Sequence, residues 1–164
     1  MARWLLVAGV VALAGVASCS APPPPPLPPT VVNLTLTTTP DVNPTIDNVG
    51  APLSLRVYQL TAAANFNAAE FFPLYNADAA TLKTDIVHRQ DFLLAPATTQ
   101  TIAIKPDASV KTIGIFAAYR NFQTAIWRAS VDLEPNKINT ITLTAGHDGV
   151  TLKTTTALPA PPAS

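Results

Sequence analysis

From Val31 onward the chain alternates apolar and polar residues with a period of two, the pattern of strands that bury one face. Val32, Leu34 and Leu36 alternate with Asn33, Thr35 and Thr37, and Leu53, Leu55 and Val57 alternate with Ser54, Arg56 and Tyr58. Ile86 to Leu94, Ile102 with Ile104, Ile113 with Ile115 and Ala117, Trp127 to Leu133, Ile141 with Leu143, and Val150 with Leu152 continue the series. Seven or eight short strands in roughly 125 residues predict an all-β fold of two antiparallel sheets packed face to face. Trp127 heads the apolar set of its strand, so its ring is expected in the core between the sheets.

One segment breaks the alternation. Asn67, with Glu70 three positions later, has the spacing of a capping box, and Asp78 to Lys83 has the composition for a further helical turn or two. Pro73 is expected to separate the two pieces. The prediction is a β-sandwich with a short helical insertion after its second strand.

Thr38 to Pro52 forms a connection of about fifteen residues, longer than most loops between strands. It holds Pro40, Pro44, Pro52 and Gly50, and little apolar material to bury it. A stiff projection is expected, with Asp41, Asn43, Asp47 and Asn48 offering hydrogen-bond groups and no exposed apolar patch. Shortening such a loop should leave stability unchanged.

The ends of the chain add a location. Arg3 precedes an uncharged apolar run from Trp4 to Gly15, which is the anatomy of an export signal and short for a permanent membrane span. Val16-Ala17-Ser18-Cys19 resembles the bacterial lipobox. That resemblance implies cleavage before Cys19, a diacylglycerol thioether on its sulfur and acylation of the new amine. Ser20, instead of Asp, then points to the periplasmic face of the outer membrane. Ala21 to Thr30 contains Pro22–Pro26, Pro28 and Pro29 and should run as polyproline II, a spacer of roughly 30 Å at about 3.1 Å per residue. The expected organisation is a signal peptide at 1–18, a lipidated Cys and tether at 19–30, a sandwich domain at 31–156 and a tail at 157–164.

Composition argues against several classes of function. Without residues 1–18 there are nine Lys and Arg against ten Asp and Glu, which gives no footprint for nucleic acid. Cys19 is the only cysteine, so packing must hold the domain together without a disulfide. There is no Gly-rich phosphate loop, paired-Cys metal site or nucleophile elbow. No cofactor, metal or small-molecule substrate is expected, and the chain reads as a non-enzyme. Asp85, His88 and Asp91 recur at intervals of three on a predicted strand and read as a solvated edge. Asp41 to Asp47 has the oxygen spacing of an EF-hand, but Ile46 stands where that loop needs Gly and Pro52 where it needs Glu. A lipid-anchored sugar- or ligand-binding sandwich is the competing reading. It would be expected to expose a row of aromatics, and the chain has two Trp and three Tyr, with Trp4 in the leader.

A succession of short motifs carries further information: Asn43-Pro44 in the long loop, Arg56-Val57-Tyr58-Gln59-Leu60, Phe66 with Ala69-Glu70-Phe71 and Leu74, Leu94-Ala95-Pro96, Gly114-Ile115-Phe116-Ala117-Ala118-Tyr119-Arg120, and Trp127-Arg128. In this order, after a lipobox, they resemble the outer-membrane lipoproteins of type VI secretion systems, the TssJ family. Ala97 departs from that pattern where Gly is expected, and Asn121 where Asp is expected. The resemblance implies a transthyretin-like sandwich that docks the periplasmic C-terminal domain of the inner-membrane protein TssM. It also implies that the first long loop makes the contact, with Asn43 and Pro44 carried over directly and Asp41, Thr45, Asp47 and Asn48 as members of that loop. Tyr58, Tyr119, Arg120, Trp127 and Arg128 are expected to serve as framework.

Overall fold

Eight strands form where the alternation predicts them: β1 (Val31–Thr38), β2 (Leu53–Leu60), β3 (Ile86–Leu94), β4 (Thr99–Ile104), β5 (Thr112–Ala117), β6 (Arg128–Asp132), β7 (Ile138–Ala145) and β8 (Val150–Ala157). The computed structural model describes residues 24–159. The leader, Cys19 and residues 160–164 therefore lie outside the described residues. β8 pairs as far as Ala157, one residue beyond the expected end of the domain.

The strands make two four-stranded sheets, ordered β4-β1-β7-β8 and β3-β2-β5-β6. Pairing is antiparallel except between β1 and β7, which run parallel in register from Val31↔Ile138 to Thr38↔Ala145. Both of those strands point from the same end of the sandwich to the other. Between the sheets, Val32, Leu34 and Leu36 of β1 meet Leu53, Leu55 and Val57 of β2, Ile113 and Ile115 of β5, and Ile141 and Leu143 of β7. These side chains are essentially fully buried, each worth about 1.5–3 kcal/mol relative to exposure.

A second core lies on the outer face of the β2-β5 sheet, beneath two helices, α1 (Ala64–Ala68) and α2 (Phe71–Leu82). Tyr58, Leu60 and Phe116 from the strands pack there against Phe66, Leu74 and Leu82 from the helices. The two-sided burial explains why alternation fades along the second half of β2. Gly114 lets α1 approach: a Cβ there would stand 3.0 Å from Leu60 Cδ1 and 3.2 Å from the Phe66 ring.

The helical boundaries differ from the sequence expectation. Asn67 lies inside α1, and Glu70 precedes α2 without a side-chain cap. Pro73 sits in the first turn of α2, where an N–H has no helical partner to lose. The break between the helices falls at Ala69, whose backbone is extended. Tertiary contacts replace the capping box. Arg128 donates to the Phe66 and Ala69 carbonyls at the end of α1, and Arg56 Nη1 donates to the Leu74 and Tyr75 carbonyls at 3.2 and 2.8 Å. Two arginines thereby satisfy helix-terminal carbonyls that have no intrahelical donor. Ala77, with φ −147°, kinks α2 just beyond them.

Asp78 restarts α2 after the kink and ties it to the sheet. It accepts from Ala79 N at 2.8 Å, the Tyr58 hydroxyl at 2.9 Å and Arg89 Nη1 at 2.7 Å. Burial would raise its carboxyl, but the hydrogen bonds from Arg89 and Tyr58 outweigh that and hold it below its ordinary value. Trp127 was expected between the sheets. Its ring is instead half-buried at the margin of both cores, edge-on to Phe71 at 5.3 Å and Phe116 at 5.6 Å. The reason is its place just before β6, where the chain is still turning out of the 118–127 connection.

Replacing Asp78 by Ala should cost about 2–3 kcal/mol, because the Tyr58 hydroxyl and Arg89 lose their acceptor. Arg89 is 38% exposed, which screens its share. Since the folded pKa is depressed, this stabilisation is complete above the unfolded value of about 4 and is lost as pH falls through the folded value. Thermal melting should show a gap between wild type and Asp78→Ala at pH 7 that narrows below pH about 4. A pH-independent gap would remove the charge from the account.

Candidate functional site

The tether and the long loop occupy opposite ends of the sandwich. Thr30 and Val31 join the domain beside the β6–β7 connection: Asn136 N donates to Thr30 Oγ1 at 2.9 Å and Val31 N to the Lys137 carbonyl at 3.0 Å. From there β1 runs eight residues, roughly 26 Å at about 3.3 Å per residue. At its far end lie four connections, residues 39–52, 95–98, 118–127 and 146–149.

The base of the first connection is built into the fold. Thr39 N donates to the Ala145 carbonyl at 2.9 Å, and Ala51 N closes onto the Val42 carbonyl at 2.9 Å. Val42 is fully buried and Ala51 is 5% exposed. Gly50 passes so close to Pro40 that a Cβ would lie 2.0 Å from its carbonyl oxygen. The expectation that this loop could be shortened without touching the core is therefore corrected, because Val42 and Ala51 belong to the core. Val42 and Ala51 stand far apart among Pro and polar residues in the loop, so no periodicity marks them.

Asn43 holds the loop in place. Its side chain is 4% exposed, its Nδ2 donates to the Pro52 carbonyl at 2.9 Å, and its Oδ1 accepts from Arg120 N at 2.9 Å. Its φ of 48° is a left-handed conformation that Asn tolerates better than most residues. The Asn43 amide thus joins both ends of its own loop to the 118–127 connection, with its polar atoms turned inward.

Beyond Asn43 the tip closes as a tight turn, with Thr45 N to the Val49 carbonyl at 2.8 Å and Asn48 N to the Thr45 carbonyl at 3.0 Å. Asp47 and Asn48 are exposed, while Pro44 and Thr45 are half-buried at the shoulder. The tip also presents apolar residues: Ile46 is 97% exposed and Val49 61%. This corrects the expectation of a purely polar projection. The loop's own backbone bonds point Ile46 outward, so nothing within the fold covers it.

The neighbouring connections form the rest of the surface. The Tyr119 hydroxyl donates to the Gly146 carbonyl at 2.9 Å, and burial pushes its pKa up. Ile126 N donates to the Asp148 carbonyl at 2.9 Å and Val150 N to the Ile126 carbonyl at 2.8 Å. Gly149 permits that contact: its φ is 140°, and a Cβ would fall 2.5 Å from Ile126 N. Pro44, Thr45, Ile46 and Asn48 face Arg120, Asn121 and His147 across an open cavity of about 390 Å³. His147 bonds Asp148, which raises its pKa, with Asp41 adding to the effect. Asp41 is exposed, and the Thr39 hydroxyl it accepts from lowers its own pKa.

Other candidates separate in space. Asp85 pairs with Asn65, His88 with Asp107 and Asp91 with Arg89. Among the described residues no group of three His, Cys, Asp or Glu is placed to hold a metal, and no helix is long and apolar enough to cross a membrane. Arg128 lies 4.8 Å over the Trp127 ring, as a framework arginine would. Ala97 adopts φ 55°, which explains why Gly is expected at this turn.

Asn43→Ala should cost about 1–3 kcal/mol, because the Pro52 carbonyl and Arg120 N–H lose part-buried hydrogen bonds. Denaturant melting checks this. A cost below about 1 kcal/mol would show that water replaces the amide and that Asn43 does not hold the loop.

A model of the type VI secretion lipoprotein family, VasD, EvfM and TssJ, matches residues 30–148. The T6SS lipoprotein TssJ1 from Pseudomonas aeruginosa has 32% identity over 82% of this chain and 100% of that one, with a TM-score of 0.76. Serratia marcescens Lip, a membrane-bound component of the type VI secretion system, shares the fold at TM-score 0.69 and 24% identity, over 75% of this chain and 96% of Lip. A chain of a type VI membrane complex shares it at TM-score 0.66 and 21% identity, over 75% and 97% respectively. None of the curated proteins compared with this chain matches it. With the family model spanning most of the sandwich and the loop end built as described, the chain belongs to the type VI secretion lipoprotein family that includes TssJ.

Proposed function

We propose that this lipoprotein is anchored by lipid on Cys19 to the periplasmic face of the outer membrane and docks the periplasmic C-terminal domain of TssM through the tip of the β1–β2 loop. The observation that carries the reading is a clamped loop, with Ile46 97% exposed, at the end of the sandwich opposite the tether. A lipid at one end and a protein contact at the other make the domain a bridge away from the membrane. Its role is assembly of the membrane complex, without a reaction.

The loop suits docking physically. Because Asn43, Gly50 and the Val42–Ala51 bond fix its base, little conformational entropy remains to be lost on binding. Ile46 and Val49 supply apolar area at the centre, and Thr45, Asp47, Asn48, Arg120 and His147 supply a polar rim, the usual anatomy of a protein interface. Asp41 acts at the base through Thr39. Pro44 shapes the step from the base to the tip. Asn43 contributes by holding that shape, since both polar ends of its side chain are engaged inside the fold.

Ile46→Asp should weaken binding to the TssM periplasmic domain at least tenfold, about 1.4 kcal/mol, while leaving melting unchanged because the residue buries nothing in the free domain. Isothermal titration of the two proteins is the measurement. Undiminished affinity would move the interface to another face of the sandwich. Cys19→Ser should abolish incorporation of labelled lipid precursor and release the protein from the membrane fraction. Failure of the wild type to incorporate label would end the anchor reading.

A further inference from the structure

The turn at residues 45–49 is too small to carry a docking surface alone. A specific, stable interface engages about 20–30 residues and roughly 800 Å² on each partner, so the contact has to run from the tip onto a neighbouring face. An aromatic groove of about 410 Å³ opens beside the loop end, between the α1–α2 junction and the 118–127 connection, where Glu70, Phe71, Phe72, Phe122, Gln123 and Trp127 line it. Phe71 stacks on Phe122 at 4.4 Å, and Phe72 meets Phe122 at 5.0 Å. Core packing explains the inner rings. It does not explain Phe72, which is 54% exposed, or Tyr75, which is 44% exposed.

The groove and the loop cavity share one segment. Arg120 and Asn121 face Ile46 across the cavity, and the next two residues, Phe122 and Gln123, line the groove. Thr124 N and Ala125 N both donate to the Asn121 carbonyl, at 3.2 and 2.9 Å, so the segment turns tightly and holds the two surfaces side by side. The outer face of the other sheet is polar instead: it carries Thr35, Thr37, Thr99 and Thr101, whose hydroxyls pair across β1 and β4 at 3.5 and 3.3 Å. Apolar area therefore continues from Ile46 and Val49 toward the helices.

We propose, resting on the docking reading above, that the partner seated on Ile46 continues into this groove and inserts there an apolar side chain flanked by a Lys or Arg. Covering the exposed rings supplies affinity, as buried aromatic anchors do at the centre of interfaces. The basic neighbour follows from the charges at the groove. Glu70 is exposed and forms no ion pair among the described residues. Arg128 is committed to the Phe66 and Ala69 carbonyls and to the Trp127 face. One negative charge thus stands uncompensated at the mouth, which favours a cation on the incoming segment and disfavours a carboxylate.

Titration of the full mature chain, prepared without lipid, against the TssM periplasmic domain separates this inference from the docking reading. Phe72→Ser should weaken binding about tenfold with unchanged circular dichroism. Weakening by Ile46→Asp, with full affinity for Phe72→Ser, would overturn the groove contact and leave docking at the tip standing. Full affinity in both variants would overturn docking at this end altogether. Trp127 is the only tryptophan beyond the leader, so fluorotryptophan labelling places a single fluorine probe on the groove wall. Its resonance should shift when the partner saturates the chain, and an unmoved resonance would overturn the groove contact even if Phe72→Ser binds weakly. Glu70→Lys should slow association about threefold or more and reduce its salt dependence. An association rate equal to that of the wild type would overturn the basic residue at the groove.

Discussion

The Asn43 side chain is the contact on which the loop end depends. One amide bridges the Pro52 carbonyl and Arg120 N, at 2.9 Å each, and so couples the β1–β2 connection to the segment that leads into β6. Through Tyr119 and Ile126 that segment is in turn fixed to the 146–149 hairpin. Three connections distant in sequence thereby become one surface. A single buried side chain that satisfies a donor and an acceptor can do this because leaving either unpaired would cost more than the bond itself contributes.

The helical insertion solves a separate problem. The β3-β2-β5-β6 sheet has an apolar outer face that a simple sandwich would leave in water, and α1 and α2 cover it with Phe66, Leu74 and Leu82. Short helices of this kind are marginal alone. Arg56, Arg128 and the Asp78 contacts hold them from the strand side, so the framework arginines act on helix ends and aromatic faces instead of on a ligand. The cover is incomplete toward the loop end, and there the aromatic groove opens. Arg120 and Asn121 line the loop cavity while Phe122 and Gln123 line the groove, so one short segment borders both surfaces.

Most of the sandwich was legible in the sequence because each strand buries one face and period two records that directly. Val32 to Leu36 and Ile141 to Ala145 show the pattern without interruption. Alternation does not record direction, so the parallel pairing of β1 with β7 had to be seen. The helix boundaries escaped because Arg128 and Gly114, more than 40 residues away, decide where α1 stops and how closely it packs. In the long loop, composition located the connection, but it could not separate Val42, which goes into the core, from Ile46, which goes into water. Asn43 shows the same limit: an Asn-Pro in a loop reads as an exposed turn, and only the fold supplies the Pro52 and Arg120 partners that turn it inward.

TssM docking is proposed for the loop end, remote from the tether. Amide hydrogen exchange of the full mature chain, with and without the TssM periplasmic domain, tests it most directly. Binding should slow exchange at residues 45–49 and 120–123 and leave the tether end, residues 30–31 and 134–137, unchanged. Protection confined to the edge strands β3 or β4, or to the tether end, with the loop tip exchanging as in the free chain, would contradict it.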